Sequence, residues 1–191
     1  KKRYLPKLAS GEYLGAYSLS EAGSGTDAAA MVAKASDDGD YFTLNGEKMW
    51  VTNGTTANLF VIFAKVTDHP DYGKKKHGGV TCFVVEKGFD GFNVGKKEDK
   101  LGIRSSDTCT LILDNCKVPK ENVLGEVGNG FGIAMNALDN SRIGIAAQAL
   151  GIAQGAYESA LKYSKERETF GKPIAQHQSI SNYLADMAMK I

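Results

Sequence analysis

The chain has 191 residues, 42% of them hydrophobic and 24% charged, with 23 basic against 22 acidic side chains and a net charge of +1. That is an ordinary globular make-up with room for one large or two small domains, and so even a balance excludes the basic footprint of a nucleic-acid binder. No apolar run reaches the roughly 18 residues of a membrane span; Cys82, Cys109 and Cys116, odd in number and widely spaced, exclude a disulfide framework or a CxxC metal site and fit a reducing compartment.

In chain order, Lys1 to Pro6 lack the apolar core of a signal peptide. The chain opens without Met, and its far end, "LADMAMKI", stops inside a helical pattern, so both ends read as cut from a longer polypeptide. "GAYSL" reads as a strand and leads into "SEAGSGTD". Gly23, Gly25 and Ala28 fit the glycine-x-glycine-x-x-alanine spacing of a dinucleotide turn. That turn belongs between the strand and helix of a βαβ unit. Here "AAAMVAKAS" is short and runs into strand patterns, so the dinucleotide reading fails on context. By itself the stretch is a polar, glycine-rich loop.

Residues 40 to 118 read as strands. "YFTL" precedes Asn45-Gly46, the strongest short hairpin signal, and "EKMWVT" is closed by Asn53-Gly54. "NLFVIFAKV", "GVTCFVVEK" and "TCTLILDNCKVP" are rich in β-branched and aromatic residues. Short strands with turn signals between them predict an antiparallel barrel or sandwich. From Gly130 to Lys165 the period changes. No proline occurs, and Leu138, Ile145, Ile152 and Ala156 recur at helical spacing. Gly144, Gly151 and Gly155 each cost about 1 kcal/mol relative to Ala in a helix, which points to close packing against other helices. "ETFGKP" breaks the pattern, and a further helix is predicted over 174–191. So much apolar helix surface calls for partner helices or another subunit.

Five segments, "YSLSEAGSGTD", "GEKMWVTNG", "LGIRSSDTCTLILDNCKVP", "GFGIAMNALDNSRIGIAAQALGIAQGA" and "ERETFGKPIAQHQSISNYLADMAMKI", in this order and spacing resemble the acyl-CoA dehydrogenase flavoproteins. "RIGIAAQALGIAQGA" looks most like their short-chain, butyryl-CoA branch. The resemblance covers essentially the whole chain. It implies an α+β chain: an antiparallel β-barrel middle domain over 1–125 that binds FAD, then over 126–191 the first long helices of a C-terminal helical bundle.

The implied reaction removes a proton from Cα and a hydride from Cβ of an acyl-CoA thioester, giving the trans-2-enoyl-CoA, with FAD as hydride acceptor and electron-transfer flavoprotein as the next acceptor. By the same resemblance Tyr17, Leu19 and Ser20 line the flavin edge, and Thr26 faces the pyrophosphate or the CoA. The ring of Trp50, otherwise read as a core residue, covers the flavin, with Val51 beside it. The hydroxyl of Thr52 meets the atom that receives the hydride, where a donor stabilises the arriving charge. Arg167, a permanent cation suited to phosphate oxygens, reaches the FAD of a neighbouring subunit together with Thr169, Phe170, His177 and Gln178. Asp139 and Arg142, at i and i+3 on one helix face, approach the CoA. Read without the family, the last two are a surface ion pair, Arg167 a surface residue, and Lys74 to Lys76 a solvated basic loop.

The family's general base is a glutamate. In a minority of members it precedes the arginine of the "LDxxR" segment, and Ser141 holds that position here. The base is therefore expected beyond Ile191, and this polypeptide alone is expected to be inactive. A homo-oligomer, a dimer of dimers at full length, is implied because part of each cofactor site comes from another chain. Bacterial cytoplasm is the expected compartment, with the mitochondrial matrix as the alternative. An oxidase on the same scaffold and a non-catalytic flavin- or CoA-binding protein are the competing functional readings.

Overall fold

The computed structural model describes residues 1–191 and divides into two compact units, Lys1–Met135 and Asn136–Ile191. In the first, a short helix α1 (Leu5–Ser10) precedes seven strands: β1 (Gly15–Ser18), β2 (Lys34–Asp37), β3 (Tyr41–Thr52), β4 (Leu59–Val66), β5 (Val80–Glu86), β6 (Phe92–Lys97) and β7 (Thr108–Pro119). They form one curled, half-barrel sheet in the order β1-β4-β2-β3-β7-β6, with β5 on the other edge of β4. The strand runs rich in β-branched and aromatic residues fold as expected. Their inward residues, among them Phe42, Leu44, Phe60, Ile62, Phe83, Val85, Leu111 and Val118, make a contiguous core. Within it Phe42 meets Phe83 edge-on at 5.3 Å. Two pairings, β1 with β4 and β2 with β4, are parallel, so the sheet is mixed where the local pattern predicts antiparallel pairs alone.

The predicted hairpin at Asn45-Gly46 does not form. β3 runs unbroken through it for 12 residues, and the Asn-Gly pair instead marks a change of register against β7 between Leu44 and Gly46. Gly46 has φ 143, and a Cβ there would lie 2.8 Å from the Cβ of Ala33. Glycine here serves a close approach to Ala33, just before β2, a use that resembles a turn signal in sequence.

The second unit holds most of α2 (Gly130–Glu166), then β8 (Glu168–Thr169), β9 (Lys172–Pro173) and α3 (Gln178–Lys190). The 37-residue α2 covers the predicted helical stretch. "ETFGKP" folds as a two-stranded hairpin, β8 with β9, whose turn residues Phe170 and Gly171 have φ 52 and 73; both are positive, as in a type I′ turn. Ile143, Ile145 and Ile152 of α2 are exposed. No helix is long and apolar enough to cross a membrane.

Candidate functional site

In the first unit the geometry is set by where residues 18–27 meet the end of β3. As a strand β1 pairs only with β4, which leaves one row of its backbone groups outside the ladder. Just past β1, the Met49 N–H donates to the Ser20 carbonyl at 2.9 Å, and the Lys48 ammonium donates to the Leu19 carbonyl at 3.1 Å. These contacts lay Leu19 and Ser20 alongside the stretch that leads into Trp50, Val51 and Thr52.

β3 then changes phase. Lys48 pairs with Leu111 and Val51 with Cys109, so three steps on β3 match two on β7, the signature of a bulge. Lys48 and Val51 point inward; Trp50, at φ 56, is 58% exposed, and Thr52 is exposed. The core reading of this lone tryptophan is thus wrong: the bulge turns its ring to the surface. Tyr17 faces outward on β1, packs edge-on against Phe63 at 5.3 Å, and has its phenol pushed up to about 12 by partial burial.

The "SEAGSGTD" loop is a tight turn in which Glu21 and Ser24 exchange backbone hydrogen bonds of 2.9 and 3.1 Å. The Ser24 hydroxyl donates to the Asp27 carbonyl at 2.9 Å, and Asp27 pairs with Lys76 at 2.5 Å. Thr26 lies exposed between them. Gly23 and Gly25 have neither a positive φ nor any atom within 4 Å of an added Cβ. Both face open solvent, and no contact within this chain requires glycine there.

Two groups that support this region, the buried Lys48 and the half-buried Asp107, escape the sequence reading. Lys48 is fully buried and pairs with Glu21 at 2.7 Å; the phase of Phe42 and Leu44 would have flagged a lysine on the core side of β3 had the Asn-Gly pair not been read as a turn. Asp107 braces the turn after Thr52, accepting from the Thr55 N–H at 2.7 Å and its hydroxyl at 2.5 Å, while its own carbonyl accepts the Asn53 N–H. Burial works against the Asp107 carboxylate, but the Thr55 donors together with the Lys97 charge and the Thr56 N–H hold its carboxyl below the usual range.

In the second unit, Thr169, Phe170 and His177 come together. His177 Nε2 lies 3.1 Å from the Thr169 hydroxyl, and its ring meets Phe170 edge-on at 5.9 Å. Phe170 itself stands 96% exposed at the hairpin tip. Gln178 opens α3 and Arg167 closes the approach from α2; both are exposed. Asp139 and Arg142 form an exposed i,i+3 pair at 3.7 Å. The Ser141 hydroxyl donates to the Leu138 carbonyl at 2.9 Å and offers no carboxylate.

Taken together, the first unit presents an exposed indole face, an unpaired strand edge, two exposed threonine hydroxyls and a glycine loop with open space. Such a surface suits a flat aromatic ligand with a hydrogen-bonding rim and a phosphate arm, and FAD meets that description.

Comparison with known proteins bears on both units. The family model for the acyl-CoA dehydrogenase middle domain matches residues 16–116, and that for the acyl-CoA dehydrogenase C-terminal domain matches residues 128–191. The short-chain specific acyl-CoA dehydrogenase of Megasphaera elsdenii is 50% identical over 193 residues, covering 100% of this chain and 49% of the relative. The solved butyryl-CoA dehydrogenase from Megasphaera elsdenii superposes with a TM-score of 0.91 at 48% identity, over 99% of this chain and 48% of that one. An acyl-CoA dehydrogenase complexed with FAD from Bacillus anthracis gives a TM-score of 0.91 at 41% identity, over 100% and 31%. The chain spans about half the length of the curated relatives it matches.

Proposed function

The chain belongs to the acyl-CoA dehydrogenase family, and from that premise we propose that the whole protein is an FAD-dependent dehydrogenase converting a short-chain acyl-CoA to its trans-2-enoyl-CoA and passing the electrons to electron-transfer flavoprotein. The observation that carries this reading is the pairing of Ser20 with Met49, which sets the residue 17–26 segment beside Trp50, Val51 and Thr52. FAD supplies the acceptor for the hydride that leaves Cβ.

This chain's residues bind and orient. The Leu19 and Ser20 carbonyls are taken by Lys48 and Met49, so Tyr17, Leu19 and Ser20 meet the flavin rim through the remaining backbone groups of this stretch. Trp50 covers the ring face and excludes water from it. Val51, buried behind it, fixes the bulge, and the exposed Thr52 hydroxyl donates where negative charge arrives, the kind of placement that favours a transition state over a ground state. Thr26 serves the pyrophosphate or the CoA arm across the space left by Gly23 and Gly25. Asp139 and Arg142 take the pantetheine and 3′-phosphate-ADP end of the substrate.

Arg167, Thr169, Phe170, His177 and Gln178 reach the cofactor of a neighbouring subunit in a homotetramer. An aromatic side chain held 96% exposed at positive φ supports a contact outside its own chain, because such a conformation carries strain. We assign residues 1–125 to the middle domain and 126–191 to the C-terminal domain. The general base lies outside these 191 residues, Ser141 having no carboxylate to offer.

The test is a substrate profile of the full-length protein from C4 to C16 acyl-CoA. Turnover is expected to be fastest at C4 and to require electron-transfer flavoprotein or an artificial acceptor. Turnover in air without an acceptor would make the protein an oxidase. A protein that purifies without flavin and takes none up would be a binding protein instead.

A further inference from the structure

Lys48 and Glu21 form an ion pair for which the proposed chemistry has no use. Lys48 has no exposed surface and Glu21 is 4% exposed. Besides its contact with Leu19, the ammonium donates to Glu21 Oε1 at 2.7 Å. The carboxylate in turn accepts the backbone N–H of Val32 on Oε2 at 2.6 Å and that of Ala33 on Oε1 at 3.2 Å. These contacts are directional, and all but the part-buried one from Val32 are buried, which makes them effective at selecting one arrangement. They are a poor source of stability, since burial disfavours the charge on Lys48 and well-packed apolar side chains often replace a buried ion pair at no loss.

The arrangement selected joins three segments: Leu19 to Glu21, the residues leading into β2, and β3 immediately before its bulge. Two of these continue directly into the groups assigned to the flavin. Ser20 lies between the two contact residues Leu19 and Glu21, and Trp50 and Thr52 follow Lys48 by two and four positions.

We propose that the Lys48–Glu21 pair is a positioning device that holds the Leu19–Ser20 backbone and the Trp50–Thr52 bulge in the relation that FAD requires. Lys48 and Glu21 are positioning residues: the pair acts through the segments it joins, on its buried side of β3. The inference rests on the flavin reading above.

The test compares native full-length protein with the double variant Glu21→Gln/Lys48→Met, which keeps side-chain volume and removes both charges. Its unfolding midpoint is expected to fall only in part, because the Gln amide oxygen accepts from one of the Val32 and Ala33 N–H groups and the Leu19 carbonyl loses the ammonium. At temperatures where both proteins are fully folded, FAD dissociation is expected to rise about tenfold or more, since sites loosened by a fraction of an ångström lose function. The visible circular dichroism of bound flavin is expected to change as well. A folded double variant with native FAD affinity and native flavin dichroism overturns the proposal. Glu21→Asp is the second variant. It keeps the charge but is one methylene too short to serve Lys48 and the Val32 and Ala33 amides together, and native FAD affinity in it overturns the proposal equally. Native protein that takes up no FAD defeats the flavin reading and this proposal with it. Native protein that binds FAD, beside variants that bind it as well, defeats this proposal alone.

Discussion

Replacing Lys48 by Met alone lowers the unfolding free energy by about 3–5 kcal/mol, the range for stranding one member of a buried ion pair. The effect is larger than the loss of a surface pair because the remaining Glu21 carboxylate is 4% exposed. It keeps only the Val32 and Ala33 amides as partners. A buried charge with incomplete compensation is costly. Urea unfolding of native and Lys48→Met protein at neutral pH checks the size. A gap below about 1 kcal/mol would show that Glu21 does not depend on Lys48.

Gly91→Ala is expected to be nearly as damaging, at about 3 kcal/mol or more, combining the left-handed penalty with overpacking. Gly91 has φ 80, and a Cβ there would lie 2.2 Å from the Asp114 carbonyl oxygen and 2.8 Å from the backbone N and Cα of Cys116. All three are main-chain atoms of β7, beside the irregularity at Asn115, itself at φ 51. No rotamer change relieves the clash; β6 or β7 must move. The control is Gly23→Ala, where a Cβ meets nothing and φ is not positive. That substitution is expected to leave unfolding within about 0.5 kcal/mol and to act on cofactor affinity instead. Thermal unfolding separates the two: equal losses at both positions would mean that the loop glycine serves the fold.

The parts of this protein legible in its sequence are those whose signal is local. β4, β5 and β7 announce themselves through β-branched and aromatic residues. The long helix α2 is legible through its period and lack of proline. Asn45-Gly46 misleads because glycine has two uses, a turn with positive φ and a close backbone approach, and only the position of Ala33 decides between them. That error hides the phase of β3, and with it Lys48. The parallel pairings of β1 and β2 with β4 are invisible locally, since each partner is only four residues long and pairs at a distance. Read without the family resemblance, Trp50 is taken for core, because a bulge of one residue, not its chemistry, decides which way it points. The expectations for the remaining site residues rest on five motifs whose order carries the family resemblance, and no single one of them does so alone.

The most direct measurement is an anaerobic titration of the full-length, FAD-loaded protein with butyryl-CoA, followed at the visible flavin absorbance. The dehydrogenase account predicts that the absorbance bleaches as substrate is added, and that it bleaches far less with a long-chain acyl-CoA. A flavin that stays oxidised through excess butyryl-CoA and every other chain length would contradict it.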